Sequence, residues 1–416
     1  MFLIGRKYFI RDSVTSVKFS LSDHFPFRFS EYCQVLRTEL EAQCQVLQRS
    51  VPSERLTRCG HRGGAGGAPG GGAARGPPPP PPEPAHGVSS FPAARTGTQR
   101  CEEVRAHGGD TVRCPRPFKL WRRRYVAGGQ CKSTAKLEGK VVIITGANTG
   151  IGKETARDLA RRGARVVVAC RDIAKAEAAA SEIRAETGNQ QVIVKKLDLA
   201  DTKSIREFAE RFLAEEKELH ILINNAGVML CPYSKTADGF EMHLGVNHLG
   251  HFLLTFLLLE RLKQSAPARI VNVSSLAHHG GRIRFHDLHG EKSYNRGLAY
   301  CHSKLANVLF TRELARRLQG TKVTANALHP GSVHSELVRH SFVMTWLWKV
   351  FSFFLKTPWE GAQTSIYCAV AEELDSVTGQ YFSDCQPAYV SPRGRDDETA
   401  KKLWSVSCEL LGIQWD

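Results

Sequence analysis

The spacing of hydrophobic positions changes near residue 139. From there on, short β-branched runs alternate with longer stretches of helical periodicity, a pattern typical of alternating strands and helices. It predicts six strands, over 140–145, 165–169, 191–196, 219–224, 269–274 and 321–328. It also predicts helices over 154–162, 173–186, 203–217, 240–262 and 299–318.

The strand runs are nearly continuous in apolar residues. Runs such as VVII at 141–144 and IVNV at 270–273 are typical of strands that are buried on both faces. Strands that alternate with helices are joined by right-handed crossovers. The sequence therefore predicts an α/β fold with a doubly wound parallel sheet, a Rossmann fold, in a single catalytic domain over 139–416.

The chain before this domain has a different composition. Of the 28 residues from 60 to 87, 10 are Gly and 8 are Pro, and such a stretch cannot build a packed core. We expect 1–120 to be a disordered, low-complexity extension and 121–138 to be a basic lead-in. The extension also carries most of the charge, because residues 1–130 hold +10 of the formal +16.

Charge and cysteine usage exclude several function classes for the domain. Residues 131–416 are only mildly basic and lack interleaved aromatic and basic positions, so we expect no nucleic-acid partner there. The 12 cysteines are irregularly spaced, with no CxxC pair and no histidine cluster at metal-ligand intervals. This favours a reducing compartment and no metal site.

A glycine-rich turn follows the first predicted strand and leads directly into a helix. Its sequence, TGANTGIG at 145–152, permits a tight turn, close approach of a pyrophosphate and free N–H groups at the helix start. A glycine turn without a ligand is the alternative, and the matching second strand makes it the weaker one. The predicted contacts to the cofactor are Gly146, Ala147, Asn148, Thr149, Gly150, Ile151 and Gly152.

The end of the second strand indicates which dinucleotide is bound. A carboxylate that would grip the 2′-hydroxyl of NAD is replaced here by Cys170 and Arg171, and a guanidinium favours the 2′-phosphate of NADP(H). Arg171 could instead be a solvated residue at a helix start. Asp198, after the third strand, could accept a hydrogen bond from the adenine amino group or could cap a helix.

Residues 139–416 resemble the short-chain dehydrogenase/reductases, and the resemblance reaches back to about residue 121. The shared motifs occur in the family's order: TGANTGIG, NNAG at 224–227, VNHLG at 246–250, Ser274-Ser275, Tyr300-Cys301-His302-Ser303-Lys304 and Pro330-Gly331. Within the family, ACRD at 169–172 and SCELLGIQWD at 407–416 are similar to the membrane-bound retinol dehydrogenases. The resemblance implies that Asn225, Ala226, Gly227, Pro330 and Gly331 lie along the cofactor, although both segments could be plain turns.

The predicted proton-transfer pair is Tyr300 and Lys304. Four residues apart on a helix, the two side chains share one face. An ammonium beside a phenol favours the phenolate, so the pKa of Tyr300 should fall, which would suit a general acid for reduction and a base for oxidation. The pair could also occur by chance, but its place in the motif order argues against that.

Ser275 and Asn247 complete the predicted catalytic set. Ser275 lies at the carboxyl end of the fifth strand, where its hydroxyl can bind the substrate oxygen beside Tyr300. The resemblance implies that Asn247 holds a water behind Lys304; otherwise it is a core residue that kinks its helix. The 25-residue interval from Ser275 to Tyr300 implies an inserted loop, 276–297, whose histidines we interpret as solvated rather than as metal ligands.

Membrane attachment follows from the resemblance and from one apolar segment. Related enzymes begin with an apolar anchor before a basic stretch and face the cytosol from the endoplasmic reticulum membrane; here the basic stretch 122–124 follows the Gly/Pro-rich segment instead. No uninterrupted run reaches the roughly 18 apolar residues of a membrane span. FVMTWLWKVFSFFL at 342–355 is either a buried helix or a flap over an apolar substrate at the membrane surface.

The sequence thus predicts an NADP-dependent oxidoreductase that interconverts retinal and retinol and reduces other lipid aldehydes. A hydroxysteroid or general carbonyl reductase of the same family is the nearest alternative. A protein that binds membranes or nucleic acid through its basic tail is a different class, and the nearly even charge of the domain disfavours it.

Overall fold

The structure is a computed structural model, which describes residues 126–334 and 355–415. The predicted extension over 1–120, the first part of the basic lead-in and nearly all of the apolar segment at 342–355 lie outside the described residues. The predicted domain from 139 onward is otherwise covered.

One eight-stranded sheet organises these residues, with strand order β3-β2-β1-β4-β5-β6-β7-β8. All neighbouring pairs are parallel except β7 and β8. The chain order reverses between β1 and β4, which confirms the doubly wound parallel sheet. The strands are β1 (Val141–Thr145), β2 (Arg165–Cys170), β3 (Val192–Lys196), β4 (Ile221–Asn224), β5 (Ala268–Val273), β6 (Val323–Leu328), β7 (Tyr381–Ser383) and β8 (Gln386–Pro387).

Helices cover both faces of the sheet, and two separate hydrophobic clusters fill the space between helices and strands. The helices are α1 (Gly150–Arg161), α2 (Ile173–Thr187), α3 (Thr202–Glu215), α4 (Met242–Gln264), α5 (Arg296–Arg317), α6 (Pro358–Val370) and α7 (Asp397–Leu411). Short 3₁₀ turns lie at Leu276–Gly280, Glu372–Leu374 and Pro392–Arg395.

The apolar strand runs are buried as their composition predicts. Every residue of β1 is buried, and side chains of opposite parity enter different clusters: Ile143 packs in one and Ile144 in the other. All six predicted strands are present with small differences at their ends. The short strands β7 and β8 were not predicted.

Helix α4 is long and strongly apolar. By length and composition Met242–Gln264 could cross a membrane, but 83% of its most apolar window is buried within the protein. It packs as a core helix between α3 and the sheet. Its first turns contain a π-helical segment, Gly245–Leu249, that places Asn247 at zero exposure.

An aromatic cluster joins α4 to the C-terminal segment. The ring of Phe252 lies 5.0 Å from that of Phe310, 4.9 Å from Trp404 and 4.8 Å from Trp415, measured between centroids. Phe252 is fully buried, and such ring pairs add to the stabilisation from burial. The cluster therefore ties α5, α7 and the chain end to the central core helix.

Replacing Phe252 should destabilise the domain strongly. Phe252→Ala leaves a cavity among three rings, so we expect the free energy of unfolding to fall by about 3 to 5 kcal/mol. Phe252→Leu, which refills part of the cavity, is the control and should cost clearly less. Urea unfolding followed by tryptophan fluorescence measures both, and a loss below about 1 kcal/mol for Phe252→Ala would show that the cluster does not support the fold.

Candidate active site

The hydroxyl of Thr145 connects the ends of β1 and β4. Its Oγ1 accepts the backbone N–H groups of Asn225 and Ala226 at 2.9 and 3.0 Å. In return, Nδ2 of Asn225 donates to the carbonyl oxygens of Thr145 at 2.8 Å and of Gly146 at 3.3 Å. Two predicted cofactor segments are thereby locked side by side at the switch point of the sheet, where ligands bind in such folds.

The glycines of the turn are required by close contacts. Gly146 has a φ of +66°, and a Cβ on it would lie 2.9 Å from both Cα and Cβ of Ala226. A Cβ on Gly152 would lie 2.5 Å from the carbonyl oxygen of Gly146. Helix α1 begins at Gly150 with no acidic residue in its first turn, and its N-cap Thr149 makes no side-chain capping bond. The helix start thus presents free donors and no negative charge, which suits a phosphate.

Cys170 lies beneath this turn. Burial raises the pKa of its thiol to about 11, and the neighbouring backbone of the turn, residues 146–148, offsets this only in part. Cys170 is therefore uncharged at neutral pH. The next residue, Arg171, is exposed and has no ion pair or hydrogen bond within the described part of the chain.

Asp198 follows β3 and is partly buried. Its Oδ1 accepts the N–H of Ala200 at 3.0 Å, and its own N–H donates to Oγ of Ser204. It thus stabilises the turn that leads into α3. Arg171 and Asp198 follow β2 and β3, which lie on one side of the switch point between β1 and β4. The predicted catalytic residues belong to segments on the other side of this point.

Ser275 and Tyr300 are brought together. The side chain of Ser275 lies beside the phenol of Tyr300, which is buried at the first turns of α5. Burial raises the pKa of Tyr300 to about 12, and Ser275 lowers it only in part. The expected fall of this pKa is not seen here, because desolvation of the phenolate dominates. The other serine of the pair, Ser274, donates to the carbonyl oxygen of Lys304 at 2.7 Å.

Lys304 and Asn247 lie behind this pair. Nζ of Lys304 donates to the carbonyl oxygen of Val273 at 3.0 Å and lies 5.8 Å from the centre of the Tyr300 ring. Burial lowers the pKa of this ammonium to about 8. The side chain of Asn247 accepts the N–H of Val228 at 2.8 Å and donates to its carbonyl oxygen at 3.0 Å. A Cβ on Gly227 would lie 3.2 Å from Oδ1 of Asn247 and 3.6 Å from Nζ of Lys304.

Pro330 and Gly331 form the turn after β6. Gly331 has a φ of +86°, and a Cβ there would lie 2.9 Å from Cε of Lys356. The N–H of Gly331 donates to Nδ1 of His329. Lys356 is buried and forms an ion pair with Asp384. Packing therefore fixes the shape of this turn.

The inserted loop is more ordered than a solvated loop would be. His278 is fully buried and its Nδ1 donates to the carbonyl oxygen of Ser275 at 2.8 Å, while its Nε2 accepts the N–H of Ser391 at 3.3 Å. His279 stacks on Tyr389, with the ring centres 5.7 Å apart. Among residues 126–334 and 355–415, no group of three potential metal ligands is assembled.

Sequence reasoning missed His251. Its Nδ1 donates to the backbone carbonyl oxygen of Asn247 at 3.1 Å, and its Nε2 lies 2.9 Å from Oγ1 of Thr145. Burial lowers the pKa of His251 to about 4, so the ring is neutral and Nε2 accepts the hydroxyl proton of Thr145. The signal was a histidine within the otherwise apolar stretch of α4, where a polar side chain needs buried partners.

A group of three polar side chains, two of them buried, was also missed. Nδ1 of His243 donates to Oε1 of Glu241 at 2.7 Å, and both residues are almost fully buried. The hydroxyl of Tyr294, from the inserted loop, lies 3.2 Å from that same carboxylate oxygen. The ring of His243 packs edge-to-face on Tyr300 with 6.3 Å between centroids. No short motif identifies this group, because loop 276–297 supplies one member from a distant part of the chain.

Comparison with known proteins agrees with this geometry. Residues 140–345 match the short chain dehydrogenase family. The chain is 72% identical to bovine (Bos taurus) retinol dehydrogenase 12 over 294 residues, which are 71% of this chain and 93% of the relative. It is 68% identical to human (Homo sapiens) retinol dehydrogenase 11 over 305 residues, 72% of this chain and 96% of the relative.

A solved structure supports the same assignment. A protein of uncharacterised function from Mycobacterium paratuberculosis superposes with a TM-score of 0.58 at 39% identity, covering 70% of this chain and 99% of its own. With the fold, the order of the motifs and the two curated relatives in agreement, the chain belongs to the short-chain dehydrogenase/reductase family, and it is an oxidoreductase that acts on CH–OH groups.

Proposed function

We propose that the protein is an NADPH-dependent reductase that interconverts retinal and retinol and also reduces other lipid aldehydes. The observation that carries the proposal is the cluster of Ser275, Tyr300, Lys304 and Asn247 in a chain 72% identical to a retinol dehydrogenase. The cluster supplies the chemistry, and the relatives supply the substrate class.

In carbonyl reduction, Tyr300 donates the proton. When bound, the nicotinamide supplies the hydride to the carbonyl carbon. The phenol of Tyr300, protonated at neutral pH because burial raises its pKa to about 12, gives its proton to the substrate oxygen. Ser275 lies beside the phenol, and its hydroxyl orients the substrate oxygen there. In the reverse direction, the phenolate takes the proton of the alcohol.

Lys304 stabilises the phenolate that forms when Tyr300 gives up its proton. Its ammonium lies 5.8 Å from the ring centre in a buried environment, where an opposite charge acts more strongly than in water. Asn247 fixes Val228 and hence the backbone that passes Lys304. We also propose that Asn247 holds a water behind Lys304, as the family pattern implies.

The donors around the turn after β1 fit NADPH. The thiol of Cys170 is neutral, so no charge at the end of β2 repels a 2′-phosphate. Arg171 is exposed and unpaired within the described chain, and its guanidinium is available for a charge-assisted bond. The start of α1 and the segment Asn225 to Gly227 complete the proposed cofactor contacts, with Asp198 near the adenine and Pro330-Gly331 near the nicotinamide.

Retinoids and long alkyl aldehydes are apolar and partition into membranes. We therefore place the protein at a membrane surface, on the cytosolic face of the endoplasmic reticulum, by analogy with its relatives. An assay of NADPH oxidation with all-trans-retinal, nonanal and a ketosteroid tests the substrate class directly. Turnover of the ketosteroid alone would favour the hydroxysteroid reductase instead.

Tyr300→Phe removes the proton donor and very little volume. We expect kcat for retinal to fall by roughly a hundredfold or more, because general acid catalysis is lost. NADPH binding, measured by quenching of protein fluorescence, should persist. Tyr367→Phe, a change of the same type outside the site, is the matched control and should keep its activity. Turnover above a tenth of wild type in Tyr300→Phe would reject the role of Tyr300.

The pH dependence should report Lys304. Burial lowers the pKa of Lys304 to about 8, so the ammonium is present below this pH and is lost above it. We therefore expect kcat/KM for carbonyl reduction to be level below pH 8 and to fall by up to about tenfold per pH unit above it. Lys304→Arg, which stays charged, should lose this limb in its residual activity. A level wild-type profile up to pH 10 in folded protein would contradict the role.

Cofactor preference should depend on Arg171. Arg171→Ala should raise KM for NADPH by roughly tenfold or more, since a charge-assisted bond contributes about 1.5 to 3 kcal/mol, while KM for NADH changes little. Cys170→Asp adds a negative charge and should narrow or reverse the preference. Arg161→Ala, an exposed arginine at the far end of α1, is the control. Equal effects on both cofactors would make Arg171 a surface residue only.

A further inference from the structure

The four-residue loop 228–231, directly after Gly227, is anchored at both ends. At one end, the amide of Asn247 makes two hydrogen bonds to the backbone of Val228, at 2.8 and 3.0 Å. At the other end, buried Cys231 donates its N–H to Nε2 of His243 at 3.2 Å and accepts the hydroxyl of Tyr294 at 3.1 Å. Met229 and Leu230 therefore occupy a fixed position between the two anchors.

Leu230 has an unfavourable backbone conformation. Its φ is +55°, in the left-handed region that a branched apolar side chain rarely adopts and that glycine adopts freely. Its side chain is partly exposed and is not among the residues that form or flank the hydrophobic clusters of the described chain. Core packing does not explain this leucine, and conformational strain of this kind is often found at functional sites.

The second anchor is a rigid, fully hydrogen-bonded unit. Burial raises the pKa of Glu241, but the bonds from the His243 ring and from the backbone N–H groups of His243 and Leu244 outweigh it, and the net pKa is lowered. Glu241 is thus ionised and keeps the proton of His243 on Nδ1, which leaves Nε2 free to accept from Cys231. A satisfied buried network of this kind specifies one geometry.

Both anchors also tie the loop to helix α5, which carries Tyr300 and Lys304. Asn247 is bonded to Oγ of Ser303 in α5 at 2.9 Å, and the ring of His243 packs on Tyr300 with 6.3 Å between centroids. These contacts therefore fix the position of the loop relative to Tyr300. The loop also begins directly after Gly227, where a Cβ would lie 3.6 Å from Nζ of Lys304, so Leu230 is three residues from the proposed catalytic groups.

We propose that Leu230 is a specificity-determining residue whose side chain forms part of the wall against the chain of a long apolar aldehyde. Glu241, His243 and Tyr294 are positioning residues that act through Cys231 to maintain the strained conformation. This inference rests on the proposed function and adds to it the residue that distinguishes long from short aldehydes.

Leu230→Gly gives the decisive test, because it removes the side chain and relieves the strain together. We expect KM for nonanal and all-trans-retinal to rise by roughly tenfold, with kcat and the KM for propanal unchanged. The melting temperature should stay the same or increase, since glycine tolerates a positive φ. Leu230→Met keeps an apolar side chain of similar size and should retain the wild-type KM values.

Tyr294→Phe tests the anchor at Cys231 without changing Leu230. Loss of the bond to Cys231 should raise KM for nonanal but not for propanal, and by less than in Leu230→Gly. In the double variant the two effects should not add, because both act through one side chain. Additive effects, or a loss of kcat for every aldehyde, would overturn the positioning role.

One result would overturn the whole inference: a Leu230→Gly protein with a higher melting temperature and unchanged KM values for all three aldehydes, which would make Leu230 a turn residue only. Failure of the proposed function looks different. Wild-type protein would then turn over no aldehyde, or Tyr300→Phe would remain active, whereas failure of this inference leaves both wild-type turnover and the Tyr300→Phe defect intact.

Discussion

The buried hydroxyl of Thr145 is the interaction on which the rest of the site depends. A parallel sheet brings the carboxyl ends of β1 and β4 together, and the two loops that leave them carry unpaired backbone N–H groups. Oγ1 of Thr145 accepts two of these from the second loop, and its own hydroxyl proton is donated in a hydrogen bond to Nε2 of His251. Since His251 donates in turn to the carbonyl oxygen of Asn247, one hydroxyl connects the proposed cofactor segments to the turn of α4 that carries Asn247.

This constraint explains why α4 begins with a π-helical turn. Asn247 must present its amide to Val228 while its carbonyl oxygen receives a bond from His251, and the wider turn at Gly245–Leu249 provides the local change in geometry that is typical of functional sites. Most of the helix is apolar and buried. Among its buried polar residues, His251 and Asn247 are the two that connect Thr145 to the segment beside Tyr300.

The sequence was sufficient for the elements with strong local signals. The strands β1 to β6 are apolar runs bounded by turns. Glycine is required at a position such as 146 because the neighbouring loop leaves no room for a side chain there. It was insufficient where several distant segments determine the outcome. β7 has three residues and β8 two, too few for periodicity to register. His251 and the Glu241, His243 and Tyr294 unit depend on partners that only the folded chain brings together, and so does the effect of burial on Tyr300.

Burial at Tyr300 and Lys304 acts against charge on both groups, raising the pKa of the phenol to about 12 and lowering that of the ammonium to about 8. In the proposed mechanism, the raised pKa keeps Tyr300 protonated at neutral pH, so that it can act as the acid in carbonyl reduction. The lowered pKa of Lys304 brings the ammonium close to its own titration, so that its charge is present but weakly solvated. A weakly solvated charge stabilises a forming phenolate more than a hydrated one does. The apolar surroundings that oppose ionisation at rest therefore strengthen the electrostatic interaction on which the proposed proton transfer depends.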